Sequence, residues 1–158
     1  MDIFAHGFWS YFLFYKDRNK FLAILFGVLP DLLSFGILFL ANLPTFLTSK
    51  PGPPDISTIP QYVHISYNLT HSLIIAFIVI LLVYIITKKF HYFLLTWPLH
   101  IFIDIFTHTK EFFPTPFLYP ISNFKLNGIS WANPTFMAIN YSLILLAIIY
   151  IIWKKKKS

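Results

Sequence analysis

The chain has 158 residues, of which 57% are hydrophobic, 20% aromatic and only 11% charged, with a formal net charge of +6. Soluble domains carry about 25% charged residues, so this composition excludes an ordinary water-facing surface and predicts a single integral membrane domain over residues 1–158. The lack of cysteine excludes disulfides, zinc–thiolate sites and cysteine nucleophiles.

Five helical segments are predicted in chain order. The first, Ile3 to Tyr15, is short, aromatic and amphipathic. The N-terminal "MDIFAHGFW" opens with an acid and has no basic n-region, so no cleavable signal peptide is expected. The second, Phe21 to Leu43, is long enough to cross a bilayer at about 20 residues per span, and Pro30 should kink or break it. The Pro-rich stretch "NLPTFLTSKPGPPDISTIPQ" reads as a loop. The third segment, about Thr70 to Thr87, is rich in Ile, Leu and Val. The fourth runs from about Phe90 to Thr109. The aromatic, irregular "KEFFPTPFLYPISNFKLNGISWANP" should lie at a membrane interface or fold back over the bundle. The fifth, about Thr135 to Trp153, is closed by Lys154 to Lys157.

The basic residues orient these segments. Lys16, Arg18, Lys20, Lys88, Lys89 and Lys154 to Lys157 fall on one side if spans alternate, against Lys50, Lys110 and Lys125 on the other. The positive-inside bias makes the first side, with the C-terminus, cytoplasmic and the two long loops external. Basic residues at the ends of apolar runs are topology determinants, so no nucleic-acid partner is expected.

Ionisable groups at membrane depth cost about 2.5–3.5 kcal/mol on insertion scales unless paired or wet. Asp31 stands mid-way along the second segment, and His100, Asp104 and His108 along the fourth. His71 opens the third, and His6 lies on the first. A four-residue step on a helix turns about 400° and rises about 6 Å. His100, Asp104 and His108 are therefore predicted to form one stripe, with room for an ion on either side of Asp104. Two-metal hydrolases keep their ions about 3.5–4 Å apart, bridged by such a carboxylate. Asp31, His71 and His6 are available from facing helices. Imidazole and carboxylate without thiolate suit zinc, with manganese or iron as alternatives, in one to three ions. His64, His91 and Glu111 are read as surface or interfacial groups. Asp2 is read as a site residue or a helix-terminal charge, and Thr70 as an N-cap or a site residue.

The motifs "LPD" at Leu29–Asp31, "THSL" at Thr70–Leu73 and "LHIFIDIFTH" at Leu99–His108 resemble the YdjM-like inner-membrane metal-dependent hydrolase family. That family shows an early His, an LPD motif, an H-R-G-x-T-H-S-L block and an S-H-x-x-x-D-x-x-T block. It is placed near zinc-dependent phospholipase C and the single-strand-specific nucleases, all-helical enzymes whose clustered metals are bound by His and Asp. The resemblance implies that His6, Asp31, His71, His100 and Asp104 are metal ligands. Ser66, Tyr67 and Asn68 stand where the family often has His, Arg and Gly, and His108 where many members have Pro.

The expectation is thus an all-α integral membrane bundle, with four to five membrane-embedded helices around a polar metal site nearer the outer face of a prokaryotic-type inner membrane. Its expected activity is metal-dependent hydrolysis of a phosphoester in a lipid or lipid-linked substrate. His6, Asp31, His71, His100, Asp104 and His108 would serve as ligands, and Asp104 and His108 as the catalytic pair, with His108 either a ligand or a general acid/base. The partners expected are membrane lipid and a small-molecule or lipid substrate. The alternatives are a transporter or a metal- or proton-handling protein using the same cluster, and a structural protein whose polar groups fix helix packing.

Overall fold

The structure, a computed structural model, describes residues 1–44 and 55–157. Residues 45–54 of the Pro-rich connection, with Lys50, lie outside the described residues. All regular structure among the described residues is helical, with one isolated bridge between Thr109 and Phe112.

Helix α1 (Ile3–Phe14) starts at an Asp2 cap whose carboxylate accepts the Ala5 amide at 3.0 Å. This meets one of the unpaired donors of a helix N-terminus. Helix α2 (Lys20–Asp31) passes into a π-helical turn (Leu32–Gly36) and then α3 (Ile37–Ala41). Pro30 has no amide to give the ladder, and the turn that follows absorbs the mismatch. Ser34 Oγ donates to the Pro30 carbonyl at 2.8 Å. The result is one continuous apolar span, Lys20–Ala41, of 22 residues. At 1.5 Å per residue it is about 33 Å long, enough for a hydrocarbon core of about 30 Å.

The third segment departs from expectation. The helix does not run through from Thr70. Helix α4 (Gln61–Thr70) ends there, and α5 (Leu73–Thr87) leaves at a 60° bend. His71 sits in the break, and Ser72, not Thr70, caps α5 through the Ile75 amide at 3.2 Å. Thr70 instead closes α4, its hydroxyl donating to Ser66 O at 2.8 Å.

The fourth segment is a 3-10 turn (Tyr92–Leu95) followed by α6 (Thr96–Thr107). Pro98 falls in its first turn, where a missing amide costs nothing. The helix ends one residue before His108, which is extended at φ −114° and ψ 144°. Three carbonyls at this end are met from outside the helix: Phe106 O by the Ile129 amide (2.9 Å), Thr107 O by Trp131 (2.9 Å) and His108 O by Gly128 (2.8 Å). Helix α7 (Pro134–Lys156) begins at an Asn133 cap and ends in lysines. Its 23 residues form the second helix long and apolar enough to cross a membrane.

Two helices therefore qualify as spans by length and composition, or three if the bent pair α4–α5 counts as one. This is fewer than the four to five expected, because α1 and Tyr92–Thr107 are apolar but short. Helix α1 packs on α2 and α7, α2 on α6, α4 on the π turn, and α5 on α6. Large apolar side chains point outward from every span, among them Phe21, Leu33, Ile78, Ile86, Leu145 and Ile149. The interior between the helices holds His6, His71, His100 and Asp104, all buried. Apolar outside and polar inside is the arrangement a bilayer solvates.

Candidate metal centre

Asp31, His71, His100 and Asp104 each present one ligand atom, and these atoms all lie within 4.8 Å of one another. Three different local structures bring them together. Asp31 ends α2 just before the π turn, His71 lies in the α4–α5 break, and His100 and Asp104 share one face of α6 a turn apart.

Five of the six separations are short. His71 Nε2 lies 3.2 Å from His100 Nε2. Asp31 Oδ1 lies 3.5 Å from His71 Nε2 and 3.8 Å from His100 Nε2. Asp104 Oδ2 lies 3.6 Å from His71 Nε2 and 3.2 Å from His100 Nε2. Donors about 2.0–2.1 Å from a tetrahedral ion are spaced about 3.3 Å apart.

The far side of each imidazole fixes what the near side can do. His100 Nδ1 is 2.7 Å from Gly27 O, an acceptor, so Nδ1 carries a proton and, in the neutral imidazole that binds a metal, Nε2 carries the lone pair. His71 Nδ1 is 3.0 Å from Thr70 Oγ1. The Thr70 proton goes to Ser66 O, so His71 Nδ1–H donates to Thr70. Two imidazole lone pairs and two carboxylates thus converge. Asp104 Oδ2 is buried without a hydrogen-bond partner. Four acceptors facing one another need positive charge between them, and a divalent cation fits this donor set. Imidazoles anchored through the opposite nitrogen are the usual arrangement of metal-binding histidines.

The other two predicted ligands flank Asp104. His6 Nε2 is 2.9 Å from Asp104 Oδ1, and its ring stacks on His100 with centroids 3.6 Å apart. The Met1 amino group ion-pairs with the same Oδ1, and Thr107 Oγ1 donates to it at 3.2 Å. His108 Nε2 is 3.5 Å from Asp104 Oδ2 and otherwise unpartnered. Its Nδ1–H donates to Phe113 O at 2.9 Å. His108 was expected on the helical stripe. It reaches Asp104 from the extended residue after the helix instead.

The remaining candidates stay apart from the cluster. His64 stacks on Phe113, His91 lies near Phe93, and Glu111 is exposed. Asp2 caps α1 and accepts the Tyr141 hydroxyl at 2.8 Å.

Sequence reasoning missed three supporting groups: the Gly27 carbonyl, the Phe113 carbonyl and the Tyr67 side chain. Backbone carbonyls leave no mark in a sequence. Tyr67 does, because it precedes His71 by one helical turn.

No protein-family model matches the chain, and no curated protein or solved structure gives a significant match.

Proposed function

We propose that this protein is a membrane-embedded metal-dependent hydrolase acting on a phosphoester in a lipid or lipid-linked substrate, a reading in line with the resemblance of its motifs to the YdjM-like family. The observation that carries this reading is the convergence of Asp31, His71, His100 and Asp104 on one point between apolar helices. In this reading α1 and the Tyr92–Thr107 segment are also embedded, beside the two long helices and the bent pair, which makes five membrane elements, the upper figure of the four to five expected. The C-terminal lysines face the cytoplasm of a prokaryotic-type inner membrane, and the centre lies toward the outer side.

Asp31, His71, His100 and Asp104 would hold the ion, zinc before manganese or iron. His6 stands beside Asp104 as a ligand of a further ion, and His108 serves either as a ligand or as a general acid/base. When bound, such a cation supplies Lewis-acid chemistry, polarising a phosphoryl oxygen and making a water acidic at neutral pH. The chain's own part is to orient and to move protons. Asp104 offers one oxygen to each side of the cluster. His108, with its proton held on Nδ1 by Phe113 O, keeps Nε2 free to accept a proton and later return it. The Asp31 side chain is 16% exposed, against 7% or less for the other carboxylate and imidazoles of the cluster. Substrate access therefore runs past Asp31.

Near-complete burial also favours a second reading, in which the cluster passes a metal ion or proton through the bundle. Turnover separates the two. Purified protein in phospholipid vesicles should release headgroup phosphate in a metal-dependent manner, and Asp104→Asn should abolish that release. Metal flux into proteoliposomes without lipid turnover would support the second reading and overturn the first.

A further inference from the structure

Tyr67 is 2% exposed, and none of the roles above uses it. Its ring stacks on the His71 imidazole, with centroids 3.8 Å apart and planes 22° from parallel. Its hydroxyl donates to Phe113 O at 2.9 Å. The same carbonyl accepts His108 Nδ1–H at 2.9 Å, and the phenol oxygen lies 3.3 Å from that nitrogen. One side chain thus touches two imidazoles of the cluster, one through its face and one through a shared acceptor.

The shared acceptor is itself an unusual residue. Phe113 has φ 46°, in the left-handed region that bulky L-residues rarely enter. Such backbone persists only where its surroundings over-determine it. Here they do. The Phe113 ring packs against Phe35 at 4.8 Å, Tyr67 at 5.1 Å and His64 at 4.7 Å. Two donors, Tyr67 Oη and His108 Nδ1, meet its carbonyl.

We propose that Tyr67 is a positioning residue of the metal centre, its ring setting the plane of His71 and its hydroxyl anchoring the Phe113 carbonyl that turns His108 Nε2 toward Asp104. The proposal rests on the metal-centre reading and adds a residue to it. Tyr67 touches no reacting atom. It acts through His71 and His108, so its two arms are separable by substitution.

The experiment is a Co²⁺ titration of the detergent-purified protein, followed by visible absorption, with folding monitored by circular dichroism and melting temperature. Tyr67→Phe keeps the stacked ring and loses the hydroxyl. It should fold, weaken Co²⁺ binding about 10-fold and shift the cobalt bands. Tyr67→Leu loses both arms and should weaken binding about 100-fold, the upper range for losing an outer-shell partner. In a His108→Ala background, Tyr67→Phe should cause no further loss, because the hydroxyl acts through His108.

Wild-type protein that takes up neither Co²⁺ nor Zn²⁺ overturns the metal-centre reading and this proposal with it. Wild-type binding that His71→Ala abolishes, with affinity and spectrum unchanged in Tyr67→Phe and Tyr67→Leu, overturns the role of Tyr67 alone. A lowered melting temperature with unchanged cobalt bands makes Tyr67 merely structural, and an equal loss with and without His108 overturns the route through that residue.

Discussion

At the scale of single residues, Asp104 is the hinge of the site. Its Oδ1 faces His6 and the Met1 amino group, and its Oδ2 faces His71, His100 and His108. Asp104→Asn keeps the shape but removes the charge and turns half of the group into a donor. It should weaken divalent-metal binding by more than about 100-fold, beyond the range seen when only an outer-shell partner is lost. Isothermal titration with Zn²⁺ measures this. His91→Ala, outside the cluster, should leave the affinity unchanged in the same titration. The pair His100–Asp104 was legible in the sequence because a four-residue step on a helix fixes both direction and distance. His108 was legible for the wrong reason. Its spacing suggested a third rung, whereas the helix stops at Thr107 and the chain turns back to bring Nε2 within 3.5 Å of Asp104. Of Tyr67 only its place one turn before His71 was legible, because the other half of its role passes through the backbone of Phe113, far away in sequence.

At the scale of elements, two close approaches hold the cluster's helices in place. Gly27 lets α1 and α2 touch: a Cβ there would overlap Ser10 Oγ and sit 2.8 Å from Ser10 Cβ. The same residue's carbonyl orients His100. Gly27→Ala should therefore destabilise the protein by about 1–3 kcal/mol, as overpacking does. Ser10→Gly in the same chain should restore most of the melting temperature. Gly128 ties the outer connection to the end of α6, and a Cβ there would overlap the Phe106 carbonyl and lie 2.8 Å from His108 O. Neither obstacle is a flexible side-chain tip, so Gly128→Ala should lower stability by about 2 kcal/mol or more. Thermal melting should show no recovery from trimming neighbouring side chains. The long apolar helices were legible from composition. The α4–α5 break was not, because an Ile/Leu/Val run shows no periodicity that would mark its start. The one available signal, Ser72 immediately before that run, is also what a residue inside a helix could be. Nothing in the sequence showed that the amides of Gly128, Ile129 and Trp131 would meet the carbonyls at the end of α6.

At the scale of the whole molecule, the described residues set an apolar exterior around an interior in which the buried His/Asp cluster lies beside small apolar cores. Helix α7 is held to α1 by two polar contacts as well as apolar packing: Trp9 Nε1 donates to Asn140 Oδ1 at 3.0 Å, and Tyr141 Oη donates to Asp2 at 2.8 Å. Hydrogen bonds between membrane helices average about 0.6 kcal/mol. Tyr141→Phe should therefore shift stability by no more than about 1 kcal/mol and leave metal content intact. The orientation read from the lysines makes a further prediction, which the absence of native cysteine makes easy to test. Lys155→Cys should react with an impermeant thiol reagent only from the cytoplasmic side, and Phe124→Cys only from the other. The membrane character was legible from composition alone. The cluster's convergence was legible only as a possibility, since spacing aligns groups on one helix but does not place three elements around one point. The most direct test of that convergence is X-ray absorption spectroscopy of the purified, zinc-loaded protein. A first shell of nitrogen and oxygen at about 2.0–2.1 Å, with imidazole scattering that diminishes in His71→Ala and His100→Ala, is the predicted result. Zinc that washes out under gentle purification, or a first shell without imidazole, would contradict the account.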